Sequence, residues 1–410
     1  MVIEQQGEKE HLDKYKVKND EIPLRVMNLY CNGEDFWFTA ANINGLFKMN
    51  RKSLEPEFIG SFPGYTPWGC CMYYGMAQCN DNLYMAPFAA KEIAVVNMNT
   101  RRCHTIEFED IKEELNPPYL RRWKFIDAIA YQGNIFFIPG SYPAILKLDV
   151  ATEEITYITD WIAQVEPYIA KTQRLYWTKA CIIENKIYAV GQRANLILEF
   201  DMESCNSKVH EVGKDGDCFS AVWANEGCLW LAPKHDGEII SWNIETHEVL
   251  TYGKFPEGYE RKQYEFNQIC CTEEKVWLFP NHADFTFFMD VKEGVFRIAK
   301  EFQSSYEKIP ISKREEQGRI YSTVCYDVKK YENTIYAYMY QNCTIIAYDT
   351  LSGERSETRC VCSKENIKKF RRPSYLKRDY VSLNEKFFTE DASYDLEGYL
   401  NYVGQYEHKS

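Results

Sequence analysis

The chain has 410 residues, a formal net charge of −12 and a pI of about 5.3. An acidic balance of that size offers no basic footprint for nucleic acid or an anionic bilayer, so neither is expected as a partner. No apolar run reaches the roughly 18 residues of a spanning helix, and the polar, charged start lacks the apolar stretch of a secretory leader.

Residues 1–21 read as a polar tail. Beyond them one phrase recurs: a turn, a short strand, a polar loop, a second strand ending in Asp or Asn, and another turn. It occupies residues 32–50, 80–97, 132–149, 184–201, 225–243, 273–290 and 332–349. An apolar run precedes each phrase, as at 125–131 (FIDAIAY) and 219–224 (FSAVWA), and a short β-rich run follows, as at 154–158 and 249–252. Each unit thus supplies four strands, a to d, at the roughly 40–50 residue period of a propeller blade. The pattern Asp/Asn-x-x-Thr/Ser-x-Glu that closes strand c, as after Asp149, is turn chemistry: a short polar side chain holds a tight bend. The fold predicted over residues 22–363 is all-β, a seven-bladed β-propeller. Helix is expected only within 159–170 and in a short extension, 364–410. There a basic cluster (Lys368, Lys369, Arg371, Arg372, Lys377, Arg378) precedes a helix capped by Ser393, with Leu396, Tyr399, Leu400 and Val403 on one face. It reads as docked on the acidic propeller or as a free partner-binding arm.

A Gly or Asn before an Ile-Tyr or Leu-Trp pair, then an FDxxT-type turn, resembles the kelch-like and YncE-like propeller repeats over residues 22–363. The double Gly of kelch blades and the Trp-Asp dipeptide of WD40 arrays are absent. The resemblance implies a fold and no particular activity, because propellers host binding modules, lyases, oxidoreductases and hydrolases alike.

In such a fold strand a lines the central channel, and the b–c and d–a loops share one face. Here those loops are long and rich in side-chain chemistry, which marks the working face. The d–a loops carry Trp68, then Arg121, Arg122 and Trp123, then Lys171, Arg174, Trp177 and Lys179, then Arg261 and Arg319. Basic groups beside aromatics suit a planar or sugar-like anion, or else they pack between blades with charged tips in water. The b–c loops align Asn42, Ala89, Ser141, Arg193, His235, His282 and Gln341. Two His on consecutive blades can contact a ligand, move a proton or hold a metal, or be ordinary surface polar groups. Mid-strand a aligns Asn28, Gly75, Asp127, Lys179, Ser220 or Ala221, Gln268 and Ser322 or Thr323, which ring the channel if they face inward.

The 15 Cys include Cys70, Cys71, Cys181, Cys228, Cys270, Cys271 and Cys325 in apolar runs, with no CxxC spacing. They read as small buried hydrophobes, reduced thiols of a cytoplasmic protein, rather than as zinc ligands. No cofactor is expected, and the chain reads as a monomer. The leading functional expectation is a module that binds an anionic or sugar-like small molecule, a glycan, a peptide or a partner protein on the long-loop face. The alternative is a metal-assisted lyase or hydrolase at the channel mouth, without a GxSxG, P-loop or HExxH motif to support it. A pure scaffold is the third reading.

Overall fold

The computed structural model describes residues 21–62, 71–109, 123–169, 175–235, 237–310, 323–362 and 377–378. Seven antiparallel four-stranded sheets form a β-propeller, and each takes its four strands from one continuous stretch of chain. The innermost strands are Val26–Asn32, Tyr73–Cys79, Phe125–Tyr131, Trp177–Ile183, Phe219–Asn225, Phe266–Cys271 and Cys325–Tyr331. Each lies beside the innermost strand of the next blade, and that of blade seven lies beside that of blade one. Helix within 159–170 shrinks to one turn, Ile162–Val165. The expected C-terminal helix lies outside the described residues.

Alternation along the strands turns one face of each blade toward each neighbour, so the core is divided among the inter-blade junctions. Phe136, Ile138, Trp177 and Phe200 fill the junction of blades three and four. Phe266, Leu278 and Phe287 fill that of five and six. At the seam, Leu24, Phe36 and Phe38 of blade one meet Tyr326, Tyr338 and Ile345 of blade seven. The ring closes without exchanging a blade strand. Instead, Ile22–Pro23 pairs antiparallel with Val361–Cys362, Leu24 N–H donates to Cys360 O at 3.0 Å, and Tyr338 Oη donates to Leu24 O at 2.5 Å. Arg25, 1% exposed, sends its guanidinium to Tyr340 O and lies over the Tyr340 ring at 5.0 Å. A further strand, Lys377–Arg378, runs parallel to Arg102–Glu107 and widens the outer edge of blade two.

The face of a–b and c–d turns is built from one repeated device. The Asp or Asn closing strand c accepts backbone N–H groups from the turn: Asp149 from Ala151 (2.9 Å) and Thr152 (3.0 Å), Asp201 from Glu203 (3.0 Å) and Ser204 (2.8 Å). Asn50, Asn97, Asn243, Asp290 and Asp349 do the same. Four residues on, the chain enters the left-handed region in every blade, at Leu54, Arg101, Glu153, Cys205, His247, Gly294 and Gly353. That residue's N–H donates back to the carbonyl of the closing Asp or Asn, from Leu54 to Asn50 at 2.8 Å and from Gly353 to Asp349 at 2.9 Å. Only two of these positions use Gly, so five side chains sit where L-residues are sterically disfavoured.

Candidate functional site

The opposite face is also tied down, and there the bonds that recur from blade to blade join backbone groups. In each blade the carbonyl just before strand a accepts an N–H from the b–c loop, as in Ala41 to Arg25, Gln192 to Tyr176, Lys234 to Cys218 and His282 to Glu265. The b–c loop carbonyl then accepts an N–H from the next blade, as in Tyr264 to Lys234 at 3.0 Å and Val324 to Asn281 at 3.0 Å. The backbone supplies the repeated frame of the rim, and side chains such as Asn44, Lys124 and Lys234 add bonds that differ between blades.

On this rim the aligned histidines come to one place. Tyr264 stands between them, its ring centroid 5.1 Å from that of His235 and 6.0 Å from that of His282. His282 also places Nδ1 3.2 Å from Gln263 O. The two rings flank a phenol and do not converge on one ion. Lys234, 7% exposed, was not singled out by the sequence, yet it lies under this group: its ammonium donates to Gln192 O at 3.0 Å and is 5.6 Å from the Tyr264 ring centre. Burial, with Arg193 nearby, brings its pKa down to about 8. The signal for it is a lone charge ending the apolar run 228–233.

His282 also lines a cavity of about 570 Å³ between blades six and seven. Gln341, at the equivalent b–c position one blade on, lines the same cavity. Its apolar walls come from Phe302, Val324 and Met339, and its polar lining includes Thr286, Tyr306, Lys308 and Asn342. Thr286 is 5% exposed and its hydroxyl has no hydrogen-bond partner among the described residues. A buried hydroxyl in that state is ordinarily satisfied by water or a ligand. Asp284, also at the cavity, forms an exposed ion pair with Lys262 at 2.6 Å. Lys308, exposed on the wall, is the ammonium among the described lining residues. The cleft is large enough for a small ligand and combines an apolar floor with a few convergent polar groups.

The channel holds the second constellation. A β-bulge at the start of strand a recurs in all seven blades and re-aims the residues after it. Asn28, Asp127, Lys179 and Gln268 line a cavity of about 280 Å³ together with Tyr74, Asp327 and Lys329. Blade seven thus corrects the alignment: Asp327, not Ser322 or Thr323, is the equivalent of Asp127. Each lies four residues before the strand's end, at Tyr331 and Tyr131, so counting back from the a–b turn finds it. Gly75 permits the arrangement, because a Cβ there would lie 2.4 Å from Asp127 Cα.

Other expected rim residues are placed differently. Trp177 is fully buried against Trp161 in the junction core and offers no surface to a ligand. Arg261 is spent on structure, pairing with buried Glu265 and donating to Gly237 O at 2.8 Å. Trp123 is half-buried on Phe88, at a centroid distance of 5.1 Å. Arg193 is exposed on the rim, and Asp127 and Lys179 are in the channel. Trp68, Arg121, Arg122, Lys171, Arg174 and Arg319 lie outside the described residues, and with them the expected basic patch.

No protein-family model and no curated protein matches the sequence. Among solved structures, the chain is similar to a catalytically inactive virginiamycin B lyase from Staphylococcus aureus with quinupristin, at a TM-score of 0.53 and 12% identity over 81% of this chain and 96% of that one. A streptogramin B lyase gives a TM-score of 0.52 at 12% identity over 80% and 94%. The extracellular domain of a putative hybrid two component system from B. thetaiotaomicron gives 0.51 at 12% identity over 82% and 41%. At such identities the likeness establishes the propeller fold alone.

Proposed function

We propose that the protein is a binding module that takes a small sugar-like anion in the cleft between blades six and seven, on the long-loop face. The observation that carries this reading is the convergence of His282 and Gln341, equivalent positions of successive repeats, on one cavity with Lys308 and the unsatisfied Thr286 hydroxyl. An ammonium and an imidazole beside amides suit carboxylate or phosphate oxygens, while Phe302 and Met339 suit the apolar face of a ring. His235 does not line the cavity, so of the two histidines His282 is the ligand contact. The free thiols among the described cysteines, such as Cys270 and Cys325, accord with a reducing compartment.

Glucose 6-phosphate, glucuronate and galacturonate form a suitable first panel for calorimetric titration. Saturable binding that weakens about tenfold or more in H282A and K308E, with an unchanged melting temperature, is the expected result. Equal affinity in wild type and both variants contradicts the assignment. Turnover of a bound uronate to an unsaturated product would instead favour an enzyme of the lyase class.

A further inference from the structure

The four charges of the channel belong to blades three, four and seven, and they face one another across the hub. Burial raises the pKa of the Asp127 carboxyl in blade three, and the Lys329 ammonium of blade seven is the foremost charge opposing that rise. Asp327 of blade seven is the foremost charge supporting the Lys179 ammonium of blade four, which burial pushes down. Contacts within the wall leave capacity unused. Asp127 Oδ1 accepts Ala128 N–H at 2.9 Å, and its other oxygen is given no hydrogen bond by the described residues. Lys179 gives one proton to Tyr74 Oη at 2.9 Å, with two donors remaining. Asp327 accepts Leu29 N–H at 2.7 Å and lies 3.6 Å from Lys329, beyond hydrogen-bond reach. Gln268 is anchored by its amide nitrogen to Tyr326 O at 2.6 Å, which turns its oxygen into the remaining acceptor.

We propose that this hub is a second binding site, independent of the cleft, for a small zwitterion that carries an ammonium and a carboxylate. Two acids and two ammonium groups line the cavity, so its formal charge is balanced. An ion of either sign would leave one enclosed charge without a counterpart, which is strongly unfavourable away from water. A compound with both charges inserts without changing the balance. Its ammonium meets Asp127 and Asp327, and its carboxylate meets Lys179, Lys329 and the Tyr74 hydroxyl. A volume of about 280 Å³ is below the range of drug-sized pockets and suits a molecule of amino-acid size.

Glycine, β-alanine and 4-aminobutyrate, titrated by calorimetry beside acetate and methylammonium, supply the test. One or more of the zwitterions should saturate the protein, with acetate and methylammonium weaker by about tenfold or more. The charge-balanced variant D127N/K329Q should lose that binding while keeping the wild-type melting profile more closely than D127N alone. The cleft variant K308E should retain it, which separates failure of the hub site from failure of the cleft site. Absence of saturation by all three zwitterions at about 50 mM, or equal binding of acetate, overturns the proposal.

Discussion

The two faces of the disk are held by different means. On the turn face side chains do the fastening: seven closing Asp or Asn residues accept turn N–H groups, and seven left-handed residues follow at one fixed offset. On the loop face the recurring fastening is carbonyl to amide, within a blade and between blades, and the side-chain bonds, such as those of Lys124 and Lys234, differ from blade to blade. A side chain needed for a bend must recur in every repeat. A backbone bond demands no particular residue, so the loop face was free to acquire His282, Lys308 and Thr286 in one junction only. Repetition therefore marks what folds the ring, and departure from it marks where chemistry collects.

Between the faces lies the hub, where substitution should have the largest effect. Gly75→Ala puts a methyl group against the Asp127 backbone and should lower stability by about 1–3 kcal/mol, visible as a lower urea midpoint. An unchanged midpoint would mean that blades two and three do not approach so closely. On the turn face, Asp201→Ala removes the acceptor of the Glu203 and Ser204 amides and should cost about 1 kcal/mol. Cleft binding should be unaffected, because the substitution acts on the opposite face.

Acid sharpens the same contrast. Turn amides hold the carboxyls of Asp149, Asp201 and Asp349 below the usual carboxylate range. A carboxyl whose pKa is depressed by folding stabilises the native state fully above its unfolded value, near 4. That contribution is lost as pH falls through the lower folded value. The triple variant D149N/D201N/D349N keeps the acceptor that Asn50, Asn97 and Asn243 already use, so its urea midpoint should fall less between pH 5 and pH 3 than that of wild type. Parallel curves would mean these carboxyls are not the acid-sensitive groups. The smallest effect is a gain: Arg101→Gly relieves a left-handed side chain and should stabilise by about 0.5 kcal/mol, since its ion pair with Glu57 is exposed and contributes little.

Blade number, strand order and the turn face were legible because each depends on residues that must recur, such as Asp149 and Asn243. Channel register was legible for Asp127, Lys179 and Gln268 but not for Asp327. The β-rich run 320–328 offers several alignments, and only the distance to the a–b turn selects one. Side-chain direction was not legible at all. Aromatic and basic residues next to a loop describe Trp177 and Arg261 equally well as ligand contacts or as packing, and the structure makes both of them packing. The cleft was hidden for another reason: Thr286, Lys308 and Gln341 come from separate loops of two blades, and only the ring brings them together.

The cleft of blades six and seven is the proposed site for the sugar-like anion. A crystal structure of the protein with the tightest-binding sugar acid or sugar phosphate tests it most directly. Ligand density is expected against His282, Lys308 and the Thr286 hydroxyl. Density on the turn face, or at His235 with the cleft holding only water, would contradict it.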